Sequence, residues 1–313
     1  MNPTISVIIP LYNVEHYIDK CLQSVRDQTL SNIEIICIND CSPDNSHLIA
    51  EKHASVDPRI SLINHSENLG VGGARNSAID IARADFIVFV DSDDYIKEDM
   101  LEKLWNASNN GEFDVICCGF IGTDDQGKIL AEINYEPREI SNIDNSLSIF
   151  SVFNPALWNK LWRKDLFTKH DIYFPPNSYF EDMSTQPRLL NKAKNLKVID
   201  DYLYYYNARR IGSITCTYSQ KHQDDIFAGF EIILNYLEEN DLVSRYGETF
   251  NHYIDSGVLN HAKRATQSDM SDEKLAAYLN RLLQLKNNFL QTRDFLESKN
   301  ADKLEALIQR DSA

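Results

Sequence analysis

The sequence lacks several features that would assign a 313-residue chain to particular functional classes. No apolar run approaches the roughly 18 residues that a membrane-spanning helix needs. The opening MNPTISVIIPLYN has no basic region, so it predicts a first strand rather than a signal peptide. The formal net charge is −16, which argues against a nucleic-acid partner because phosphate binding needs a basic surface.

Cysteine is sparse and shows no metal-site spacing, because neither a CxxC pair nor a Cys/His ligand pattern occurs. Several of the cysteines lie in apolar runs, where Cys is usually a small buried hydrophobe. This pattern predicts a reduced, cytoplasmic setting. The six cysteines are Cys21, Cys37, Cys41, Cys117, Cys118 and Cys216.

The first hundred residues alternate short β-branched apolar runs with amphipathic stretches. The apolar runs predict four strands, and apolar residues at helical spacing predict helices between them. Strands that alternate with helices and are apolar on both faces indicate a parallel sheet covered on both sides. The four strands are predicted at Ile5–Pro10, Ile33–Asp40, Arg59–His65 and Phe86–Val90, and the helix after the third at Gly73–Ala84.

After Ile96 the alternation is less regular. A helix is predicted near Glu98–Ala107 and a strand at Phe113–Gly122. The segments WNKLWRKDLFTKH and YFEDMSTQPRLLNKA are predicted as helices, and Asn195–Arg210 as a strand followed by a loop.

From about Gln220 the composition changes, since Gly and Pro nearly vanish and apolar residues recur at helical spacing. We therefore predict a first domain at 1–219 and a helical C-terminal subdomain at 220–313. The first domain is expected to consist of two halves, at about 1–122 and about 123–219.

The tails of the four predicted strands are polar or Gly-rich. In order they read PLYN, NDCSPD, HSENLGVGGARN and DSDD. In open α/β sheets, ligands bind outside the carboxyl ends of the strands. We therefore expect these four tails to converge on one crevice.

Three carboxylates, Asp91, Asp93 and Asp94, follow the buried fourth strand. In an extended segment side chains alternate, so Asp91 and Asp93 would point to one side and Asp94 to the other. Two carboxylates on one side suit a hard divalent cation such as Mg²⁺ or Mn²⁺. The alternative is a solvated turn, for which Asp and Ser are common residues.

The Gly-rich stretch Asn68–Asn76 lies between the third strand and a helix, where backbone N–H groups can face an anion. It is neither a dinucleotide fingerprint nor a phosphate loop, because the last Gly of the first and the GK[ST] of the second are missing. Arg75 lies close enough to the helix start to reach a phosphate. The alternative is a simple turn and a helix start.

Two further pairs of charged residues occur later in the chain. Glu181 and Asp182 lie beside aromatic residues, which suits a general base with a raised pKa, although such a pair is also common at a helix start. Arg209 and Arg210 lie beside tyrosines and suit an anion or a sugar, or are exposed charges on a loop.

The elements SVIIPLYN, INDCSPDNS, NLGVGGARN, FIVFVDSDD and ED together resemble the family 2 glycosyltransferases over roughly residues 4 to 215. NKLWRKDLF is similar to the bacterial branch that builds capsule, lipopolysaccharide or other surface glycans. The resemblance implies the GT-A (nucleotide-diphospho-sugar transferase) fold, an α/β fold with a mostly parallel sheet flanked by helices. It also implies an inverting hexosyltransferase that uses Mn²⁺ or Mg²⁺ and moves a sugar from a nucleotide-sugar, with a UDP-sugar as the expected donor. On this resemblance the nucleotide-sugar half of the first domain would lie at about 1–122 and the acceptor half at about 123–219.

The resemblance further implies roles for single residues. Asp182 would be the catalytic base, with Glu181 beside it, and Asp93 would ligate the metal, with Asp91 as its neighbour near the ribose or sugar. Asp40 would hydrogen-bond the uracil ring, and Asp44 would support that loop. The residues expected to bind the nucleotide-sugar are Pro10, Tyr12, Asn13, Glu15, Asp40, Asn68, Gly70, Arg75, Asp91 and Ser92. Phosphate or acceptor contacts are expected at Lys160, Arg209 and Arg210.

The chain departs from the family pattern at two places. The family's second loop often reads DDGS, where this chain has NDCS with Asn39 and Cys41. Because Asn keeps a polar side chain, we expect little change there. A histidine that ligates the metal in some relatives has no clear counterpart here.

Two other functions are alternatives to the one that this resemblance implies. A sugar nucleotidyltransferase needs a Gly-rich, basic loop after the first strand, and PLYNVEHY has no Gly, Lys or Arg. A non-catalytic nucleotide-sugar or glycan-binding protein of the same fold stays open, although the presence of both Asp93 and Asp182 favours catalysis. The expected partners are a UDP-sugar and a glycan or lipid-linked acceptor, in the cytoplasm.

The C-terminal apolar stripes are expected to pack on the catalytic domain or in a homodimer. Peripheral contact with the inner face of the cell membrane is a further alternative. The interleaved charges of Lys274–Arg310 weaken the electrostatic case for it.

Overall fold

The computed structural model describes residues 2–141, 149–151, 153–210 and 218–291. The chain divides into two compact units, and both are interrupted in sequence. The first comprises Met1–Leu147 and Phe153–Ile211, and the second comprises Ser148–Val152 and Gly212–Ala313. We describe the first as the sheet unit and the second as the helical unit.

The sheet unit begins with four parallel strands, as the sequence predicts. They are β1 (Ile5–Leu11), β2 (Ile33–Asn39), β3 (Ile60–Asn64) and β4 (Phe86–Phe89), in the spatial order β3-β2-β1-β4. Every residue of β1, β2 and β4 is buried, which explains their continuous apolar sequences. The polar tails of these strands therefore end at one edge of the sheet.

Helices cover this part of the sheet. The second helix begins beyond the Ser-Pro-Asp signal, and the third begins at Gly70, three residues before its predicted start. The apolar face of the first helix, including Cys21 and Leu22, packs into the main core. The helices are α1 (Ile18–Arg26), α2 (Ser46–Val56), α3 (Gly70–Ile81) and α4 (Met100–Ala107).

The remaining strands make the sheet mixed. A central strand at Lys160–Arg163 runs antiparallel to both of its neighbours, and the long last strand is parallel to the strand at Val115–Thr123. Among the described residues, ten strands form one sheet. The added strands are β5 (Tyr95–Ile96), β6 (Val115–Thr123), β7 (Ile129–Ile133), β8 (Arg138–Ser141), β9 (Lys160–Arg163) and β10 (Asn195–Asn207).

The predicted helix over WNKLWRKDLFTKH is wrong for its first half. Residues Lys160–Arg163 form β9 between β4 and β6, and only the short α5 (Asp165–Thr168) follows. Leu161 and Trp162 are fully buried at the centre of the sheet. Pairing with two neighbours therefore overrides the local helical pattern. The second predicted helix is confirmed as α6 (Glu181–Lys192).

The helical unit contains α7 (Gln220–Glu239), α8 (Val243–Thr266) and α9 (Asp272–Gln291). Its core includes aromatic contacts of Phe230 with Phe250 and Phe289. Inside it, Lys286 Nζ lies 2.6 Å from Asp255 Oδ1, and the two side chains are only 2% and 5% exposed. A buried ion pair therefore joins α8 to α9.

The apolar runs of the sequence predict that several cysteines are buried. Cys21, Cys37, Cys117 and Cys118 are buried free thiols, and burial raises the pKa of each. Cys216 lies outside the described residues.

Within the ranges described above, no helix combines the length and the apolar character that crossing a bilayer requires.

Candidate active site

The end of β1 and the loop after it carry four of the predicted nucleotide-binding residues, namely Pro10, Tyr12, Asn13 and Glu15. Pro10 is a buried strand residue opposite Ile38, whereas the Tyr12 side chain is 49% exposed at the end of the strand. Asn13 has a φ of 53°, a left-handed conformation that Asn tolerates better than most residues. The strand thus ends in a sharp change of direction that leaves Tyr12 open to solvent.

Asp44 joins the loops after β1 and β2, as the supporting role predicted for it requires. Its carboxylate accepts hydrogen bonds from the Ser42 and Ser46 hydroxyls, at 2.5 and 2.6 Å, and from the backbone N–H of Glu15 at 2.8 Å. Burial acts to raise the pKa of Asp44, but these hydrogen bonds outweigh it and lower the pKa to about 2. The Glu15 carboxylate in turn accepts from the Asn45 backbone at 3.0 Å.

Asp40 is buried between the loops after β2 and β3. Its Oδ1 atom accepts from the backbone N–H of Leu69 at 2.9 Å and lies 2.7 Å from Nδ1 of His65. The Asn68 side chain donates to the Asp40 carbonyl at 2.9 Å. The contact expected between Asp40 and a uracil ring stays a prediction. His65 was not predicted, because nothing in its local sequence signals a partner 25 residues away.

The Gly-rich stretch is part of α3 and not a loop that precedes it. Gly70, with a φ of +73°, is the first helical residue, and Gly72 lies in the first turn. A Cβ atom on Gly72 would approach the Pro175 carbonyl oxygen to 2.6 Å, which is too close for any other residue. Glycine therefore allows α3 to pack against the segment that leads to α6.

The acidic segment after β4 is a turn, closed by a hydrogen bond from Asp94 N to Asp91 O at 3.0 Å. The expected alternation along an extended segment is therefore wrong, although Asp94 does have partners different from those of Asp91 and Asp93. Its buried carboxylate accepts from the Tyr204 hydroxyl and from the backbone N–H of Asn207, both at 2.7 Å. Burial, with help from Asp93 and Asp91, raises the pKa of Asp94 well above its usual value.

Tyr204 holds this turn from β10. Its hydroxyl oxygen accepts from the backbone N–H of Asp91 at 3.1 Å while it donates to Asp94. The ring stacks on Trp158, with the centroids 4.3 Å apart. Ser92, within the turn, is buried. The sequence offered no signal for Tyr204 beyond its place in a run of tyrosines.

Arg75 bridges Asp91 and Glu181. Its guanidinium Nη2 lies 2.7 Å from Asp91 Oδ1, and Nη1 donates to Glu181 Oε1. Burial acts to lower the pKa of Arg75, but the two carboxylates outweigh it and raise the pKa. The residue is only 4% exposed, so a direct contact between Arg75 and a diphosphate stays a prediction.

Glu181 and Asp182 begin α6 and have different surroundings. Phe180, just before them, has a left-handed φ of 59°, a strained conformation for an aromatic residue that turns the chain into the helix. Glu181 is buried, and burial, partly offset by Arg75, raises its pKa to about 7. Burial also raises the pKa of Asp182. As a whole residue, Asp182 is only half-buried. Asp182 is therefore the more accessible of the two carboxylates.

The predicted arginine pair is divided between two environments. Arg210 Nη1 lies 3.0 Å from Asp93 Oδ2, and its Nη2 donates to the Asn13 carbonyl at 2.7 Å. Arg209 is exposed. Burial raises the pKa of Asp93, and Arg210 partly offsets this effect.

Lys160 is fully buried in β9. Its ammonium group donates to the Ala156 carbonyl at 2.6 Å and to Asn159 Oδ1 at 2.7 Å, and burial lowers its pKa. The group supports the chain before β9 and is closed to solvent. A contact with a phosphate or an acceptor would require it to leave these partners, and that contact stays a prediction.

The carboxylates of Asp91 and Asp93, after β4, could supply part of the coordination shell of a divalent cation. No group of three or more His, Cys, Asp or Glu residues that could hold a metal occurs in the part of the chain that the structure describes. Mg²⁺ is usually bound through one or two carboxylates together with substrate phosphates and waters. Asp93 and Asp91 supply hard oxygen atoms of this kind, so a metal held here would need the diphosphate to complete its shell.

Comparison with known proteins decides the family. The family model described as "Glycosyl transferase family 2" matches residues 6–189, more than half of the chain. The chain belongs to this family. It is therefore a glycosyltransferase, and the matched region contains the site residues described above up to Asp182, but not Tyr204, Arg209 or Arg210.

A curated relative agrees with this assignment. The chain is 33% identical over 259 residues to EpsH of Bacillus subtilis (strain 168), provisionally named a glycosyltransferase, and the match covers 80% of this chain and 74% of EpsH.

Solved structures of known glycosyltransferases have the same fold. S. aureus TarS 1–349, in complex with UDP-GlcNAc, superposes with a TM-score of 0.65 at 22% identity, covering 98% of this chain and 84% of that one. The mannosyltransferase PcManGT of Pyrobaculum calidifontis, in complex with GDP-Man and Mn²⁺, superposes with a TM-score of 0.53 at 14% identity, covering 100% and 86%. The expected GT-A-like fold, with flanking helices and a helical C-terminal region, is confirmed, and its sheet is mixed where a mostly parallel one was predicted.

Proposed function

We propose that this glycosyltransferase inverts the anomeric centre as it moves a sugar from a UDP-sugar to a hydroxyl of a glycan or lipid-linked acceptor in bacterial surface polysaccharide synthesis. One observation carries the proposal. The accessible carboxylate, Asp182, directly follows Glu181, which Arg75 ties to Asp91 in the turn after β4. A base and a turn that suits a metal-bound diphosphate are thus held at a fixed separation.

The donor class rests on the strand tails and on the neighbours. Exposed Tyr12 and the linked loops around Asp40 and Asp44 supply an apolar face and polar groups at the carboxyl end of the parallel strands, where such sheets bind ligands. TarS has been solved with UDP-GlcNAc and PcManGT with GDP-Man. UDP is the better expectation for this chain because TarS is the more similar of the two.

The proposed mechanism follows from where charge develops. Departure of the nucleoside diphosphate builds negative charge, and Mn²⁺ or Mg²⁺ held by Asp93, with Asp91 beside it, would supply Lewis-acid neutralisation when bound. Asp182 accepts the proton of the acceptor hydroxyl as that oxygen attacks C1 from the face opposite the leaving group. The C1–oxygen bond to the diphosphate breaks as the new bond forms, so one displacement inverts the centre.

Glu181 has a separate task in this proposal. Its buried side chain is occupied by Arg75, so it orients Arg75 and the start of α6 rather than meeting the acceptor. Burial raises the pKa of Asp182, and the positive charge of Arg75 offsets part of that rise. Arg75 therefore limits how far the pKa of the base rises.

A donor panel tests the proposal. Purified protein is incubated with UDP-Gal, UDP-Glc, UDP-GlcNAc, UDP-GalNAc or GDP-Man, with and without Mn²⁺, and nucleoside diphosphate release is measured. We expect release from one UDP-sugar that depends on Mn²⁺. No release with any donor and acceptor, together with measurable UDP binding, would instead favour a non-catalytic nucleotide-sugar-binding protein.

Asp182→Asn examines the base in the same assay. We expect transfer to fall by about 10²- to 10⁴-fold while UDP binding is retained, because the amide cannot accept the proton. Asp171→Asn is the matched control, since Asp171 is exposed and its left-handed backbone suits Asn. Unchanged transfer in Asp182→Asn would remove Asp182 from the role.

The cellular setting is part of the proposal and has its own tests. We propose a cytoplasmic protein, with peripheral contact with the inner membrane face and a homodimer through the C-terminal helices as alternatives. Sedimentation with vesicles of anionic phospholipid tests the first alternative, and light scattering tests the second.

A further inference from the structure

The carboxylate with the proposed metal role already has a cation beside it. Arg210 Nη1 lies 3.0 Å from Asp93 Oδ2, and the two side chains are 14% and 17% exposed. The pair is thus partly shielded and partly open to solvent. A ligand can reach it without unfolding the sheet unit.

Arg210 is held in place by more than Asp93. Its Nη2 atom donates to the Asn13 carbonyl at 2.7 Å, and its guanidinium carbon lies 5.6 Å from the centre of the Tyr17 ring. The Tyr17 hydroxyl in turn donates to Asp125 at 3.2 Å. The end of β10 is therefore fastened by one side chain to the loop after β1 and to the turn after β4.

A guanidinium and a divalent cation cannot share Asp93 favourably. Two like charges a few ångströms apart repel strongly where water is partly excluded. We propose that Arg210 is a resident counter-cation, which occupies Asp93 in the donor-free protein and must leave it before a divalent cation binds there. The inference rests on the proposed function, because it takes Asp93 as the metal ligand.

The comparison with Arg75 explains why Arg210 is the arginine that exchanges. Arg75 is buried between two carboxylates, Asp91 and Glu181. Arg210 has one carboxylate and one carbonyl as its hydrogen-bond partners, and its side chain is more exposed than that of Arg75. A diphosphate offers the released guanidinium new negative oxygen atoms in a geometry that arginine binds well.

Exchange of this kind couples two binding events. Metal alone must displace Arg210 without compensation, whereas metal with a diphosphate gives the arginine a new partner. UDP should therefore strengthen Mn²⁺ binding, and Mn²⁺ should strengthen UDP binding by the same factor. Arg210 would in this way keep the protein from holding a metal without a donor.

The test measures Mn²⁺ binding directly, by the electron paramagnetic resonance signal of free Mn²⁺, with and without UDP. We expect Arg210→Gln to bind Mn²⁺ alone about tenfold more tightly than the unaltered protein, a typical size for coupling between two ligands. The enhancement by UDP should shrink in the same variant. Arg210→Lys, which keeps the charge but loses the planar fork, should fall between the two.

Arg209→Gln is the matched control, since it removes the same charge from the exposed neighbouring residue. We expect little change in its affinity for Mn²⁺ alone. An equal gain in this variant would overturn the inference by showing an effect of net charge alone.

Two other outcomes separate this inference from the proposed function. If UDP still enhances Mn²⁺ binding but Arg210→Gln leaves the affinity for Mn²⁺ alone unchanged, the inference is overturned and the proposed function stands. If neither the unaltered protein nor the variant binds Mn²⁺ or UDP, both are overturned.

Discussion

The two units of the chain use ion pairs in different ways. In the helical unit, Lys286 and Asp255 form a pair that is 2% and 5% exposed. In the sheet unit, Arg210 and Asp93 form a pair at a similar distance, but it lies at the end of strands and is 14% and 17% exposed. The first pair is closed to any ligand, whereas the second can exchange its partner.

The difference in exposure distinguishes a charged pair that affects folding from a charged pair that affects ligand binding. A fully buried pair brings a large desolvation cost, and removal of one partner leaves an uncompensated charge in the interior. A pair that water can reach is less costly to break, because water can solvate the partner that remains. Loss of Arg210 should therefore alter binding, and loss of Lys286 should alter folding.

The largest expected effect is on the Arg210–Asp93 pair, which we call the open pair; the Lys286–Asp255 pair is the closed pair. Asp93→Ala should abolish metal-dependent turnover, by at least about 10²-fold, because the charge of the leaving diphosphate loses its main offset. Mn²⁺ binding measured in the presence of UDP should fall in parallel, while the thermal midpoint changes little. Full activity in this variant would remove Asp93 from the metal role.

Changes to the closed pair should alter the stability of the protein and not its binding of ligands. Lys286→Met should lower the free energy of unfolding by about 3–5 kcal/mol, and Lys286→Met with Asp255→Leu should recover most of it. Arg210→Gln should change the same quantity by no more than about 1 kcal/mol.

The two units can be followed separately in this experiment. The three tryptophans, Trp105, Trp158 and Trp162, all lie in the sheet unit, so their fluorescence reports that unit during urea unfolding. Circular dichroism at the helical band reports both units. A loss of the same size in Arg210→Gln as in Lys286→Met would contradict the distinction.

Tyr204→Phe should have an intermediate effect and tests how the open pair is held. The change leaves the buried Asp94 carboxylate and the Asp91 backbone without the hydroxyl between them, which should cost about 1–3 kcal/mol of stability. Mn²⁺ affinity in the presence of UDP should fall as the turn loosens. Tyr205→Phe is the control, because its ring stacks on Tyr95 and should lose little. Equal effects of the two changes would argue against the role of Tyr204.

The smallest expected effect is on the pH profile of turnover. Burial raises the pKa of Asp182, and a base acts only when it is deprotonated. Turnover should therefore fall as the pH drops through this raised pKa, at a pH above the usual aspartate range, by about tenfold for each unit below it. UDP binding should stay constant over the first part of this fall. An acid limb near pH 4 or lower would exclude a raised pKa for the base.

The first four strands of the sheet, and the position of the acidic residues directly after β4, were predicted from the sequence. β1, β2 and β4 are short runs of apolar, mainly β-branched residues buried on both faces, so the local pattern and the tertiary environment agree. β9 was missed because Trp162 and Leu161 acquire their burial from β4 and β6, which are distant in sequence.

The partners at the site could not be predicted for the same reason. Arg75 was expected to face a diphosphate, but its partner Glu181 is 106 residues away. Asp94 and Tyr204 are 110 residues apart. A spacing of that size has no periodicity that a pattern can detect, and only the folded sheet brings the ends of β4 and β10 together.

The sequence by itself determined the family, the alternation of strands and helices, and which carboxylates stand at the ends of buried strands. These features follow from local hydrophobic periodicity and short motifs. The tertiary structure decided which charge meets which: Arg75 lies with Glu181 and Asp91, Arg210 with Asp93, and Tyr204 with Asp94. Such pairings depend on strand order and burial, because the crossing of distant segments sets both the distance between two charges and the water left around them.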